Sequence, residues 1–222
     1  MNNEKTIQYY EYIREDVLSL IPLDVGYVLD IGCGAGALGR ALKEKGIKKV
    51  VGIELNEKIA NIASKYIDYV IIGDVERLGI PLEDEYFDCI IYADILEHLK
   101  DPWLLLKRYK KILKSSGIIV VSLPNIRHYT TLLNLLKGDW PYSNRGIIDK
   151  THLRFFTKKT AKNMLISTGY KIIKIKTNYR LFENPNYKWK VGINMLFSKF
   201  IQYFPIIREF FAFQYLIVGK NQ

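Results

Sequence analysis

The sequence predicts an α/β protein built on a doubly wound, mostly parallel sheet. Three observations carry this reading. Apolar runs alternate with helix-like stretches along the first half of the chain, as in repeated strand–helix–strand units. The runs are continuously apolar rather than alternating, which suits strands covered on both faces. The first run empties into three glycines, Gly32, Gly34 and Gly36, just before a helical pattern begins.

Each element can be justified in turn. The five runs are Tyr27-Val28-Leu29-Asp30-Ile31, Val50-Val51-Gly52-Ile53-Glu54, Tyr69-Val70-Ile71-Ile72-Gly73-Asp74, Phe87-Asp88-Cys89-Ile90-Ile91-Tyr92 and Gly117 through Leu123. Helices are predicted over 38–45, stopped by Gly46, and over 57–66. A third opens at Asp101-Pro102, a capping residue followed by proline at the first helical position, and is predicted to end near Gly117 after a lysine-rich turn. Farther on, Thr157 caps a helix ending at Gly169. Strands are predicted at 170–177 and 213–219, with a helix over 188–204 between them.

The 222 residues are predicted to form one domain, with an N-terminal helical segment (1–24), a cofactor-binding core (25–125) and an acceptor-side half (126–222) that carries a helical insertion at 183–210. Hydrophobic residues at 49% and charged residues at 25% exclude a disordered or fibrous chain. Two cysteines in apolar stretches do not make a disulfide framework. The first five residues lack a signal-peptide core, and no run of apolar residues has spanning length, so a cytoplasmic setting is expected. Charge is uneven: residues 1–94 hold 10 basic and 17 acidic side chains, whereas 95–222 hold 23 and 6. A basic half suits nucleic acid, an anionic membrane or an acidic ligand. The lysines are scattered rather than clustered with aromatics, so nucleic acid is disfavoured.

Chemistry concentrates after the strands. In Val28-Leu29-Asp30-Ile31-Gly32-Cys33-Gly34-Ala35-Gly36 a strand enters a glycine turn through which a ligand can approach the backbone. The turn also satisfies the dinucleotide fingerprint, so alone it does not separate NAD from other adenosine cofactors. Glu54 closes the second run, 22 residues after Gly32, where an acid accepts from ribose hydroxyls. Asp74 follows the third run and can accept from an adenine amino group, with Val75 packing on the ring. The fourth run leads into Ala93-Asp94-Ile95-Leu96-Glu97-His98-Leu99.

Taken together, the glycine turn, Glu54, Gly73-Asp74-Val75, the Phe-Asp-Cys-Ile-Ile strand, Leu96-Glu97-His98-Leu99 and Leu123-Pro124-Asn125 resemble class I S-adenosylmethionine-dependent methyltransferases over residues 25–125. A narrower resemblance is to methyltransferases found with glycosyltransferases in surface-polysaccharide pathways. It rests on Arg14-Glu15-Asp16 before Ile21-Pro22 and on Asp149-Lys150-Thr151-His152-Leu153-Arg154-Phe155-Phe156-Thr157. The resemblance implies a seven-stranded sheet whose last strand runs antiparallel between its neighbours. It implies S-adenosyl-L-methionine as cofactor, and O-methylation of a sugar hydroxyl on a glycan or glycolipid. Asp30, Gly32 and Gly34 would hold the methionine and sulfonium side, Glu54 the ribose, and Asp74 and Val75 the adenine. Asp94 and His98 would border the donated methyl. Cys33, within the turn, and Leu55, after Glu54, complete the expected cofactor set.

A hydroxyl acceptor benefits from a general base. His152, in a polar stretch ahead of a capped helix, is the first choice, then His98, then His128. No metal site is expected, because no Cys/His cluster has zinc spacing and the acids are isolated in sequence. Other readings stay open: a methyltransferase of small metabolites, an NAD(P)-dependent oxidoreductase, or a non-catalytic protein that keeps the fold. The 188–204 helix places Trp189, Ile193, Leu196, Phe197, Phe200 and Phe204 on one face and Lys188, Lys190, Ser198, Lys199 and Gln202 mostly on the other. That face either packs on the domain or on a partner subunit, as in a homodimer, or lies on an anionic membrane.

Overall fold

A computed structural model of the chain describes residues 13–79, 84–183 and 187–222. The first residues of the N-terminal segment (1–12), with the stretch examined for a signal peptide, and part of the 183–210 insertion lie outside the described residues. Strands β1 (Tyr27–Ile31), β2 (Lys49–Glu54), β3 (Tyr69–Ile72), β4 (Phe87–Ala93), β5 (Leu113–Pro124), β6 (Tyr170–Tyr179) and β7 (Ala212–Asn221) form one seven-stranded sheet ordered β3-β2-β1-β4-β5-β7-β6. The first five strands are mutually parallel, and β7 inserts antiparallel between β5 and β6, as the resemblance implied.

Helices α1 (Glu15–Leu18), α2 (Ala37–Glu44) and α3 (Glu57–Ala63) precede β4, and α4 (Pro102–Tyr109) follows it. After β5 come α5 (Tyr129–Leu136), α6 (Lys158–Ser167), α7 (Lys188–Ile201) and α8 (Arg208–Phe211). Each sheet face carries its own core. Leu29, Ile90, Val121 and Ile217 pack with Leu106, Tyr109, Met164 and Leu165 on one side. Val28, Ile91, Val120 and Leu216 pack with Val17, Leu38, Leu42 and Ile67 on the other. The alternation of adjacent strand residues between the two cores follows from the period-2 pleat. Gly52 is required in β2, because a Cβ there would stand 2.5 Å from Cys33 Sγ and 2.8 Å from Ile67 Cδ1.

Several sequence expectations need correction. The third run ends as a strand at Ile72 and is an edge strand, with Tyr69 and Ile72 exposed, because among the described residues no strand pairs beyond β3. The helix opened by Asp101, whose side chain accepts from Leu104 N–H, stops at Tyr109 rather than near Gly117. A 3₁₀ turn (Lys110–Ile112) follows, and β5 already starts at Leu113, which pairs with Phe87. Helix α5 was not predicted. Of the alternatives left open for α7, packing of its apolar face on the domain is not what the helix does. Its inward stripe is Asn194, Phe197, Ser198 and Ile201, and Asn194 latches it down. The Asn194 carbonyl oxygen accepts from Leu181 and Phe182 N–H at 2.8 and 2.9 Å, and its amide donates to Phe182 C=O at 2.8 Å. One polar side chain thus satisfies three backbone groups on the inward side, while Trp189, Ile193, Leu196 and Phe200 are left exposed.

Candidate active site

The strand order reverses between β1 and β4, the place where open α/β sheets bind ligands beyond their strand ends. A cavity of about 610 Å³ opens there, of a size that suits a cofactor-sized molecule. Of the expected cofactor residues, Asp30, Gly32, Cys33, Gly34, Glu54, Leu55 and Asp94 line it, as does His98. Asp74, Val75 and His152 do not. Asp74 folds onto its own turn, accepting from Glu76 N–H at 2.9 Å, and Val75 is buried in the first core.

Local geometry explains the turn. Gly32, Gly34 and Gly36 have φ of 73°, 54° and 80°, the left-handed region that glycine enters at least cost. A Cβ on Gly36 would lie 3.0 Å from Ala63 Cα, so glycine also lets α3 close on the loop. The turn is held by Glu54, which accepts from Gly34 N–H at 3.0 Å and from Asn56 N–H at 2.9 Å. A carboxylate has about four lone-pair positions, so about two remain for vicinal hydroxyls of a ribose.

The lining is acidic. Asp16, Asp30, Glu54 and Asp94 face it against Arg14 and Arg180. A pyrophosphate on the glycine turn would meet the Asp30 and Glu54 carboxyl groups, whereas a sulfonium cation is favoured there. Asp30 is 2% exposed, and burial, followed by the charge of Glu54, raises its pKa to about 7. Burial likewise pushes the Cys33 thiol up, so Cys33 is a packing residue rather than a nucleophile.

Of the opposite wall the sequence indicated Asp94 but not the partners that hold it. Asp94 has φ of 55°, unusual for a non-glycine residue, and it is fixed from three sides. Ser122 Oγ donates to it at 2.8 Å, and Arg14 and Gln214 donate to its two oxygens. Arg14 also grips Asp16 at 2.9 and 3.1 Å and Gln214 at 3.1 Å, tying the start of α1 to β7 across the cavity mouth. Burial opposes ionisation of Asp16, but the hydrogen bond and charge of Arg14 and a bond from Asn178 outweigh it and lower the Asp16 pKa. A polar Gln214 within the apolar run of β7 was the available signal.

The three histidines separate. His128 is fully buried, with Nε2 bonded to Arg180 C=O at 2.9 Å and Nδ1 to Thr130 Oγ at 2.8 Å. Burial lowers its pKa, and it serves as a structural bracket. His98 and His152 come together, ring centroids 4.7 Å apart. Thr151 gives its hydroxyl hydrogen to Asp149 at 2.6 Å, so towards His98 Nδ1 it acts only as an acceptor, at 3.1 Å from the hydroxyl and 3.2 Å from the carbonyl. His152 Nδ1 lies 2.9 Å from Ile147 C=O. Nδ1 of each ring therefore carries a hydrogen. Beneath them Glu97 is 1% exposed, its carboxyl driven well above the usual range by burial and then by Asp94.

Comparisons with known proteins agree with this geometry. Residues 6–175 match the family described as "Methyltransferase domain". A ubiquinone biosynthesis O-methyltransferase of Idiomarina loihiensis is 33% identical over 119 residues, covering 50% of this chain and 48% of that protein. One from Psychrobacter arcticus is 28% identical over 152 residues, covering 64% and 58%. The chain thus spans about half the length of the curated relatives it matches. The crystal structure of an S-adenosylmethionine-dependent methyltransferase from Archaeoglobus fulgidus is 25% identical and covers 96% of this chain and 97% of that one, with a TM-score of 0.64. With the matched segment taking in well over half of the sequence, and with a fold of the same kind, the chain belongs to the methyltransferase-domain family, whose cofactor is S-adenosyl-L-methionine.

Proposed function

We propose that the protein transfers the methyl group of S-adenosyl-L-methionine to a hydroxyl oxygen of a lipid-borne acceptor, with a sugar hydroxyl of a glycolipid as the favoured case. In this reading Glu54 holds the ribose, and Asp30 and the glycine turn hold the methionine and sulfonium side. Asp94 and His98 face the transferred methyl, and Nε2 of His152 or His98 takes the hydroxyl proton. Transfer itself is an in-line displacement in which positioning supplies much of the rate, about 7–11 kcal/mol in well-oriented systems.

The observation that carries the lipid-borne acceptor is the outward face of α7. Trp189 and Phe200 are 57% and 61% exposed, and Ile206, just beyond the helix, is 83% exposed. Lys188, Lys190, Lys199 and Arg208 accompany them, with no acid between residues 187 and 208. An apolar aromatic face edged by cations suits the interface of an anionic bilayer, at about 1 kcal/mol per lysine near the surface. Among the described residues no helix is long and apolar enough to cross a membrane. The names of the relatives favour a second acceptor of related form, a phenolic hydroxyl on a polyprenyl chain.

Co-sedimentation with liposomes containing phosphatidylglycerol tests the surface. Binding that falls with salt and with Trp189→Ser supports it. Protein that stays in the supernatant, or that covers this face by pairing with a second copy, refutes it. Transfer of labelled methyl to a lipid-linked sugar rather than to a polyprenyl phenol separates the two acceptors.

A further inference from the structure

Aromatic rings distant in sequence line up beside the cavity. His98, in the 3₁₀ turn (Leu96–His98) after β4, lines the cavity itself. The His152 ring stands 4.7 Å from it, centroid to centroid, at 72°. Phe155 follows at 6.4 Å and 66°, and Trp140 meets Phe155 at 5.4 Å and 89°. Every step is edge-to-face, so the positive rim of one ring meets the negative face of the next. His152, Phe155 and Trp140 lie beyond the residues that line the cavity, and Phe155 is 42% exposed. The row therefore leads from the lip of the cavity out to the surface.

The backbone that carries these rings is anchored. Leu153 and Arg154 N–H donate to the Glu97 carbonyl at 2.8 and 3.0 Å, and Phe156 C=O accepts from Ile126 N–H at 3.0 Å. Phe155 is thus held on both sides. Gly138, with φ of 73°, turns the chain out of α5 towards Trp140, and Asp139 N–H donates to Asn134 C=O at 2.9 Å. Between the two rings, Ile147 and Ile148 are buried, and Ile147 N–H donates to Glu183 at 2.9 Å. A packing role would bury the Phe155 ring as it buries that of Phe156, which is 2% exposed. An apolar ring left in solvent on an anchored loop is a binding surface ordered before its ligand arrives.

We propose that Phe155 and Trp140 form a shelf for a sugar ring of the acceptor, the unit next to the one that receives the methyl group. The proposal rests on the reading that the cavity holds the methyl donor and that a glycan hydroxyl accepts the methyl, and it deepens that reading by placing the rest of the acceptor. The C–H groups on one face of a sugar ring carry partial positive charge, and they settle on the negative face of an aromatic ring. A hydrocarbon chain has no such preference for aromatic over aliphatic partners, so a row of rings points to a sugar. With the accepting sugar seated at Asp94 and His98, its neighbour lies over Phe155, and the acceptor has at least two sugar units. That contact is remote from the reacting oxygen, and remote binding energy serves to orient the hydroxyl towards the methyl carbon.

The test is calorimetry on protein saturated with S-adenosylhomocysteine and titrated with n-octyl β-maltoside below its micelle-forming concentration, with 1-octanol as the control for the tail. Saturable binding of the maltoside and none of octanol is expected. Phe155→Ala and Trp140→Ala should each weaken it by about five- to tenfold, the scale of one lost aromatic contact. Phe155→Tyr and Trp140→Phe, which keep the rings, should bind like the wild type. Melting curves identify variants that fail to fold, and S-adenosylhomocysteine binding should be retained in all four. No saturable binding of the maltoside by the wild type, or wild-type affinity in the folded Phe155→Ala variant, overturns the shelf. Octanol bound as tightly as the maltoside would assign the shelf to a hydrocarbon chain and overturn the sugar. Failure of the wild type to bind S-adenosylhomocysteine would instead overturn the reading of the cavity.

Discussion

Asp30 gives a prediction with a sign and a size. It is the penultimate residue of β1, beneath the glycine turn, and burial together with Glu54 raises its pKa to about 7, above the ordinary 3.8. A sulfonium held on that turn favours the ionised form, so the binding-competent fraction is the ionised fraction. For a pKa of about 7 that fraction is about one tenth at pH 6 and about nine tenths at pH 8. The dissociation constant for S-adenosylmethionine should therefore fall about tenfold between those values, about 1.4 kcal/mol. Below pH 7 binding should also release a proton, seen as a buffer-dependent heat. Titration calorimetry at pH 6, 7 and 8 measures both. Asp30→Asn, unable to ionise, should bind more weakly at pH 8 and lose this pH dependence. The same slope in the variant, or a flat profile in the wild type, would refute the argument. Stability follows with the opposite sense. A raised pKa means that the folded apo protein keeps a proton the unfolded chain has lost, so the contribution of Asp30 is complete below about pH 4 and disappears as pH rises through about 7. The melting temperature of the apo protein should drop between pH 5 and pH 8, and Asp30→Asn should flatten the drop.

Two substitutions probe the site and its support. Glu54→Ala removes the acceptor of Gly34 and Asn56 N–H along with the ribose contact, and should weaken S-adenosylhomocysteine binding by about 1–3 kcal/mol, which calorimetry reads directly. Gly52→Ala drives a methyl to 2.5 Å from Cys33 Sγ and should cost about 1–3 kcal/mol in denaturant unfolding; an unchanged midpoint would show that Cys33 and Ile67 yield freely.

What was legible in the sequence was what local chemistry determines. The run from Val28 to Gly36 and the acid Glu54 announce a strand, a tight turn and a ribose acceptor within about 25 residues, and the structure brings them to one cavity. Burial of a strand depends on its neighbours, so the edge position of β3 did not show in its apolar composition. Helix α5 begins with Tyr129, Thr130 and Thr131 and has no charged side chains to mark a solvent face, which explains its omission. What the apolar face of α7 meets stayed open because amphipathicity shows which residues are apolar, not whether something covers them. Arg14, Asp94 and Gln214 meet only because β7 returns antiparallel beside β5, joining residues 200 positions apart. The meeting of His98 and His152 escaped the sequence for the same reason, because the loop ahead of α6 brings the second ring to the first.

The central claim, that this cavity is built for S-adenosylmethionine rather than for a dinucleotide, is tested most directly by titrating the protein with S-adenosylhomocysteine and with NADH in parallel. The acidic lining around Asp30 and Glu54 predicts saturable one-to-one binding of S-adenosylhomocysteine and none of NADH. Saturable binding of NADH, or of neither ligand, would contradict it.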